Sequence, residues 1–62
     1  MATIHQLIRD AASRLRGVTE TPRLDAELLL AHALGRPRGW LLARPGEEVD
    51  GAGFEALVAR RL

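Results

Sequence analysis

Pro22-Arg23-Leu24-Asp25-Ala26-Glu27-Leu28-Leu29-Leu30-Ala31-His32-Ala33-Leu34-Gly35 is the stretch on which the fold turns. Thr21 followed by Pro22 marks a helix start, since proline at the first helical position has a preset φ and gives up an amide that would be unpaired anyway. Gly35 supplies the residue that closes such a helix, and Pro37 stands two residues beyond. Between them the apolar side chains cover far more than a 100° stripe, because three consecutive leucines alone sweep about 200°. A helix over residues 22–34 is therefore central, touched on several sides. Its polar residues Asp25 and His32 are seven apart. They fall on nearly one line and leave a single narrow wet or interface-facing strip.

Toward the N-terminus, Ile4, Leu7, Ile8, Ala11, Ala12 and Leu15 follow the i, i+3, i+4, i+7, i+8, i+11 series of an amphipathic helix. Thr3 stands at the N-cap, with Gln6 three residues later to complete a capping box, and Gly17 is expected to end the helix near residue 16. Asp10 and Arg14 make an i, i+4 pair on the wet face, worth roughly 0.2–0.5 kcal/mol. Arg9, Arg14 and Arg16 on an N-terminal amphipathic segment also suggest an organelle transit peptide, but Asp10 and the stop at Gly17 argue against one.

Toward the C-terminus, Trp40, Leu41 and Leu42 lie in a short helix over residues 38–43, with Trp40 expected to fill space between helices. Pro45 to Asp50 reads as loop. Asp50 is a good N-cap for a fourth helix over residues 51–62, in which Phe54, Leu57, Val58 and Leu62 repeat the apolar spacing. Gly51 and Gly53 weaken its first turn by up to about 1 kcal/mol each relative to alanine. The pattern still runs at Arg60, Arg61 and Leu62 with no closing residue, so the fourth helix is expected to be truncated and the chain to belong to a longer protein. The fold class is all-α, a small bundle of about four short helices whose sequential neighbours pack together.

Composition agrees and narrows the function classes. Eleven leucines and ten alanines make up most of the 47% hydrophobic residues, and tyrosine is absent. That favours helix over sheet. A chain of this size buries only about 60% of the surface its unfolded form exposes, which leaves no room for a large core with a deep enclosed pocket. Cysteine is absent, so neither a disulfide nor a thiolate metal site can staple the fold. Leu28 to Ala31 is stopped at once by His32, and no apolar run approaches the eighteen or so residues of a membrane span. The pI of about 9.1 suggests a nucleic-acid binder, yet the net charge is only +1. All nine cations are arginine, so the high pI reports missing lysine and tyrosine rather than a basic surface.

Catalytic signals are few. There is no glycine-rich phosphate loop after a strand, no histidine pair at i and i+4, and no nucleophile with a plausible base. Ser13 sits on the polar face of the first helix and reads as solvated. His5 and His32 are 27 positions apart, too far to form a ligand pattern. His32, a potential switch or acid–base group, reads instead as a histidine at the core edge, bonded to backbone or to Asp25 through solvent. Trp40 has an alternative role as a partner-binding anchor. Arg36 and Arg38 bracket Pro37 in a turn, where long cations point outward to meet an acidic partner or RNA phosphates, or simply complement the C-terminus of the preceding helix. These two are the candidate partner-binding residues. Arg60 and Arg61 belong to the same category.

The block Pro22 to Gly35, continued by Arg36-Pro37-Arg38-Gly39-Trp40-Leu41-Leu42-Ala43, closely resembles the N-terminal helical domain of the HemK/PrmC family. The similarity covers nearly the whole chain. The resemblance implies a cytoplasmic S-adenosylmethionine-dependent enzyme that methylates the Gly-Gly-Gln glutamine of peptide chain release factors at its side-chain nitrogen. In that family a downstream Rossmann-like domain, with a glycine-rich cofactor loop and an Asn-Pro-Pro-Tyr motif, does the chemistry. Neither motif occurs here, so no catalytic, cofactor or metal residue carries over. For residues 1–62 the resemblance implies an inert N-terminal bundle that packs on the catalytic domain and helps to recognise the release factor. A glutamine loop presents few side chains, and a second contact surface adds affinity away from the reaction centre.

Two other readings stand beside it. One is a purely structural domain that caps the catalytic domain. The other is a helix-turn-helix-like nucleic-acid module built from the first two helices, which would need Arg, Asn or Gln on a recognition helix; the second helix offers leucines, and the chain has no asparagine.

Overall fold

Helix α1 (Ile4–Leu15) begins at the capping box anticipated for it: the Gln6 amide donates to Thr3 Oγ1 at 3.1 Å and the Thr3 amide to Gln6 Oε1 at 2.9 Å. The structure, a computed structural model, describes all 62 residues. Ile4, Ile8, Ala11 and Leu15 turn the predicted stripe into the core, with Leu7 and Ala12 packed at its edge. The helix stops one residue before the expected boundary. Gly17 does not close it with a left-handed turn, because Gly35 alone has positive φ. Instead the amides of Val18 and Thr19 fold back onto the Leu15 carbonyl at 2.9 and 3.1 Å.

Helix α2 (Pro22–Leu34) has the bounds predicted for it, with Pro22 opening it. Its end is a Schellman closure. Gly35, at φ 65°, donates to His32 O at 3.2 Å, and Arg36 donates to Ala31 O at 3.1 Å, so the last carbonyls are satisfied by the turn itself. Ala26, Leu30 and Ala31 are buried, and α2 packs against α1, α4 (Ala52–Arg61) and α3 (Arg38–Leu42), which confirms its central position. Its open face differs from the expected strip. Leu24, Leu28 and His32, spaced four apart, are exposed, whereas Asp25 is folded in and accepts from Thr21 Oγ1 at 3.0 Å and Arg61 at 3.3 Å. His32 therefore lies in solvent, not at the core edge beside Asp25.

The segment Pro45 to Asp50, expected to be loop, contains a two-residue strand. Strand β2 (Glu48–Val49) pairs antiparallel with β1 (Ala2–Thr3), Ala2 opposite Val49 and Thr3 opposite Glu48. The pairing has a physical cause at the start of α1. The first amides of a helix lack intrahelical acceptors. Here Ile4 N–H donates to Glu47 O and His5 N–H to Pro45 O, each at 2.9 Å, while Thr3 takes Gln6 N–H. Val49 is thereby drawn into the core.

Helix α3 ends at Leu42 and α4 runs from Ala52 to Arg61, each one residue inside its predicted range at one or both ends. Asp50 caps α4 from one position further back than expected: Gly51 is the N-cap, and Asp50 Oδ1 accepts from Ala52 N–H at 3.0 Å. Gly51 sits at a close approach, since a Cβ there would stand 3.0 Å from Leu7 Cδ2, while Gly53 faces open space. Phe54 and Val58 complete the core. Two ion pairs tie α4 to the other long helices, Arg14–Glu55 at 2.8 Å and Arg61–Asp25 at 3.3 Å, and the expected Asp10–Arg14 pair forms at 3.5 Å. The whole measures 27 × 19 × 17 Å, and no helix is long and apolar enough to cross a membrane.

Candidate functional site

Arg36 and Arg38, the residues singled out for partner contact, stand where α2 turns into α3, Arg36 on the connection and Arg38 as the first residue of α3. The structure gives them different surroundings. Arg38 Nε donates to Glu27 Oε1 at 2.8 Å, and Arg23 approaches the other carboxylate oxygen at 3.4 Å. Glu27 is 4% exposed, the one charged residue inside the core boundary, and both arginines are half in solvent. Burying a carboxylate is costly unless it is paired, so Glu27 fixes Arg38 in place and with it the angle between α2 and α3.

Arg36 lies over Trp40, its guanidinium carbon 4.9 Å from the ring centroid, and Arg44 lies over the same ring at 4.6 Å. Trp40 does not fill the space between helices as expected. It is half-buried, resting on the core through part of its surface, because Leu41 takes the inward position of α3. Arg44 is held further by its hydrogen bond to the Trp40 carbonyl at 3.3 Å and by Glu47 at 3.8 Å. The outcome is a cationic and aromatic corner made of Arg36, Trp40 and Arg44, with Arg38 held separately on Glu27. Tryptophan and arginine are the residues most enriched where binding energy concentrates at protein interfaces. Each cation–π contact is worth about 0.5–1 kcal/mol at such exposure and holds the cations in place before any partner arrives.

Glu27 and Arg44 escaped the sequence reading, yet both carried a signal. Arg23 and Glu27 are four apart on one helix, and Arg36, Trp40 and Arg44 repeat at intervals of four. Arg60 and Arg61 separate in role: Arg61 holds Asp25, and Arg60 is exposed without an ion pair. Ser13 is exposed, as expected for the wet face of α1. The Asp25 carboxyl is held below the usual aspartate range, chiefly by the Thr19 hydroxyl, which outweighs the opposing effect of desolvation, with further help from Thr21 and Arg61. Arg14 is raised, chiefly by its hydrogen bond to Glu55. Neither group faces the corner. No three His, Cys, Asp or Glu side chains converge in a metal-ligating group. Beside Asp25, an open hollow of about 240 Å³ is lined by Leu28, Leu29 and Arg61, and the exposed Leu24 precedes it on α2 by one turn. What these surfaces offer is contact: charge-assisted hydrogen bonds, stacking and apolar area.

The fold is that of a small helical domain. Residues 6–62 match the family described as PrmC N-terminal domain. The chain belongs to that family. It is 42% identical to a release factor glutamine methyltransferase of Nitratidesulfovibrio vulgaris over 97% of this chain and 22% of that protein. A protein of the same description from Vibrio cholerae is 36% identical over 95% of the chain and 22% of its own length. That from Bordetella pertussis is 50% identical over 66% of the chain and 16% of its own length. The chain thus spans about a fifth of these relatives or less. No solved structure matches it.

Proposed function

We propose that residues 1–62 are the N-terminal substrate-recognition domain of a protein-glutamine N5-methyltransferase, acting on the Gly-Gly-Gln glutamine of a peptide chain release factor in the cytoplasm. The domain is inert by itself. It holds the release factor through Arg36 and Trp40 of the corner and through Arg38, and packs on the catalytic domain through the apolar face of Leu24 and Leu28. The observation that carries this reading is the match of residues 6–62 to the family, together with relatives described as release factor glutamine methyltransferases.

S-adenosylmethionine is the methyl donor that the reaction calls for, and the residues of this chain do not fit it. Both surface hollows are open, one lined by Asp25, Leu28, Leu29 and Arg61 and the other mainly by arginines and small residues, and neither contains a glycine-rich turn between strand and helix. No step of methyl transfer is assigned to them. Their work is affinity and orientation, spent away from the reacting nitrogen.

The test compares the parent enzyme with and without residues 1–62, and with Arg36→Ala and Trp40→Ala. Recognition requires kcat/KM for the intact release factor to fall at least tenfold while a short Gly-Gly-Gln peptide is methylated as before. Equal loss on both substrates favours the purely structural reading, to which the exposed Leu24 and Leu28 lend support. A nucleic-acid role draws no support from α2, whose outward line is Leu24, Leu28 and His32.

A further inference from the structure

Beside its core stripe, α1 carries a second stripe of Arg9, Ala12, Ser13 and Arg16, at i, i+3, i+4 and i+7. It faces the first turn of α2, and with Pro22 and Arg23 it lines an open groove of about 440 Å³. The groove opens beside the first turn of α2, whereas Trp40 lies beyond its last turn, on α3. Three of its six lining residues are arginine, and their charges are unequally spent. Arg23 shares Glu27 with Arg38, whereas Arg9 and Arg16 form no ion pair with any carboxylate of the chain. Asp10, the neighbouring acid, is engaged with Arg14 on another side of the helix. Glu20, in the connection from α1 to α2, is exposed and forms no ion pair. In a chain of net charge +1, positive charge is concentrated locally here.

We propose that this groove binds an acidic segment of a protein partner. Arg9 and Arg16 are two helical turns apart, a rise of about 10 Å, so they suit two carboxylates at that spacing, one on each guanidinium fork. Arg23 borders the same space from α2, and the Ser13 hydroxyl sits between the two cations as a hydrogen-bond donor. A nucleic acid fits less well on two counts. Single strands are gripped by aromatic stacking, and both rings of the chain, Trp40 and Phe54, lie outside the lining. A net charge of +1 also supplies no broad field to draw in a polyanion. The assignment goes beyond release-factor recognition and stands or falls independently of it.

The test uses the 62-residue chain, isotope-labelled, titrated at low salt with an octaglutamate peptide and, separately, with an octauridylate of comparable charge. The peptide produces saturable amide shifts centred on Arg9, Ser13, Arg16 and Arg23. Arg9→Glu and Arg16→Glu each weaken it by about fivefold, the change expected when an exposed attraction becomes a repulsion. Arg60→Glu, the same charge change outside the groove, weakens it less than twofold. Arg9→Gln and Arg16→Gln, which introduce no repulsion on the helix, give the same order of effects. The proposal is overturned if Arg60→Glu costs as much as the groove variants, if the shifts centre on Arg36 to Arg44, or if octauridylate binds more tightly than octaglutamate.

Discussion

Removing the two ends of the Glu27–Arg38 pair should have unequal consequences. Glu27 is 4% exposed, while the Arg38 side chain is 46% exposed. Arg38→Met leaves a buried carboxylate with only the 3.4 Å contact to Arg23. A hydrogen bond to a charged group is worth about 1.5–3 kcal/mol, and the half-exposed arginine with a surviving second partner brings the expected cost to about 1–2 kcal/mol. A 62-residue domain has roughly 3–9 kcal/mol in total, and at this size each kcal/mol lowers Tm by about 8 °C. Arg38→Met should therefore melt about 8–16 °C early. Glu27→Met removes the buried charge and strands no other, because both arginines reach water. It should lie within about 1 kcal/mol of the parent, and the double variant should resemble it. Urea denaturation and thermal melting of the four proteins close the cycle. If Arg38→Met costs the same in the Glu27→Met background as in the parent, or if Glu27→Met is the worse of the two, the reasoning is wrong. The outcome also bears on function, since a binding defect in an Arg38 variant is interpretable only once its effect on the fold is known.

The two glycines at the start of α4 should respond in opposite senses. Gly53→Ala meets open space and should stabilise by about 0.5–1 kcal/mol, whereas Gly51→Ala presses a Cβ to 3.0 Å from Leu7 and should gain nothing or lose stability, as chemical denaturation will show. Asp25 should contribute to acid sensitivity. Its carboxyl is held low in the fold by Thr19, Thr21 and Arg61, so its stabilisation is complete above the ordinary aspartate range near 4 and is lost as pH falls through the lower folded value. Asp25→Asn should flatten the decline of Tm below about pH 4; an unchanged slope would refute that role.

Helices α1 and α2 were legible in the sequence because their signals are local. The stripe from Ile4 to Leu15, the box of Thr3 and Gln6, and Gly35 each act within a few residues, and the structure places them as expected, with only the end of α1 off by a residue. The β1–β2 pairing was not legible, since it joins positions 45 and 47 apart and depends on amides that local patterns do not count. Leu24 and Leu28 misled for a different reason. Periodicity gives the angle of a side chain around α2, but not which angles the other three helices will cover. Glu27 could not be recognised as buried without knowing that α3 would bring Arg38 back over it. The candidate contact residues Arg36 and Arg38 were visible as charges in a turn and Trp40 as a possible anchor, but the stacking of Arg36 on that ring and the hold of Glu27 on Arg38 were not.

The contacts that close the segment 45–49 over the start of α1 are made by main-chain carbonyls. A carbonyl belongs to every amino acid, so Pro45 and Glu47 fulfil this duty whatever their side chains are. Even proline, which has no amide to give, loses nothing where only its oxygen is asked for. Such a joint can be inherited as a path of the backbone while the letters at positions 45 and 47 drift, Val49 alone being held to an apolar side chain by the core. The shape of this corner of the domain should accordingly outlast its spelling.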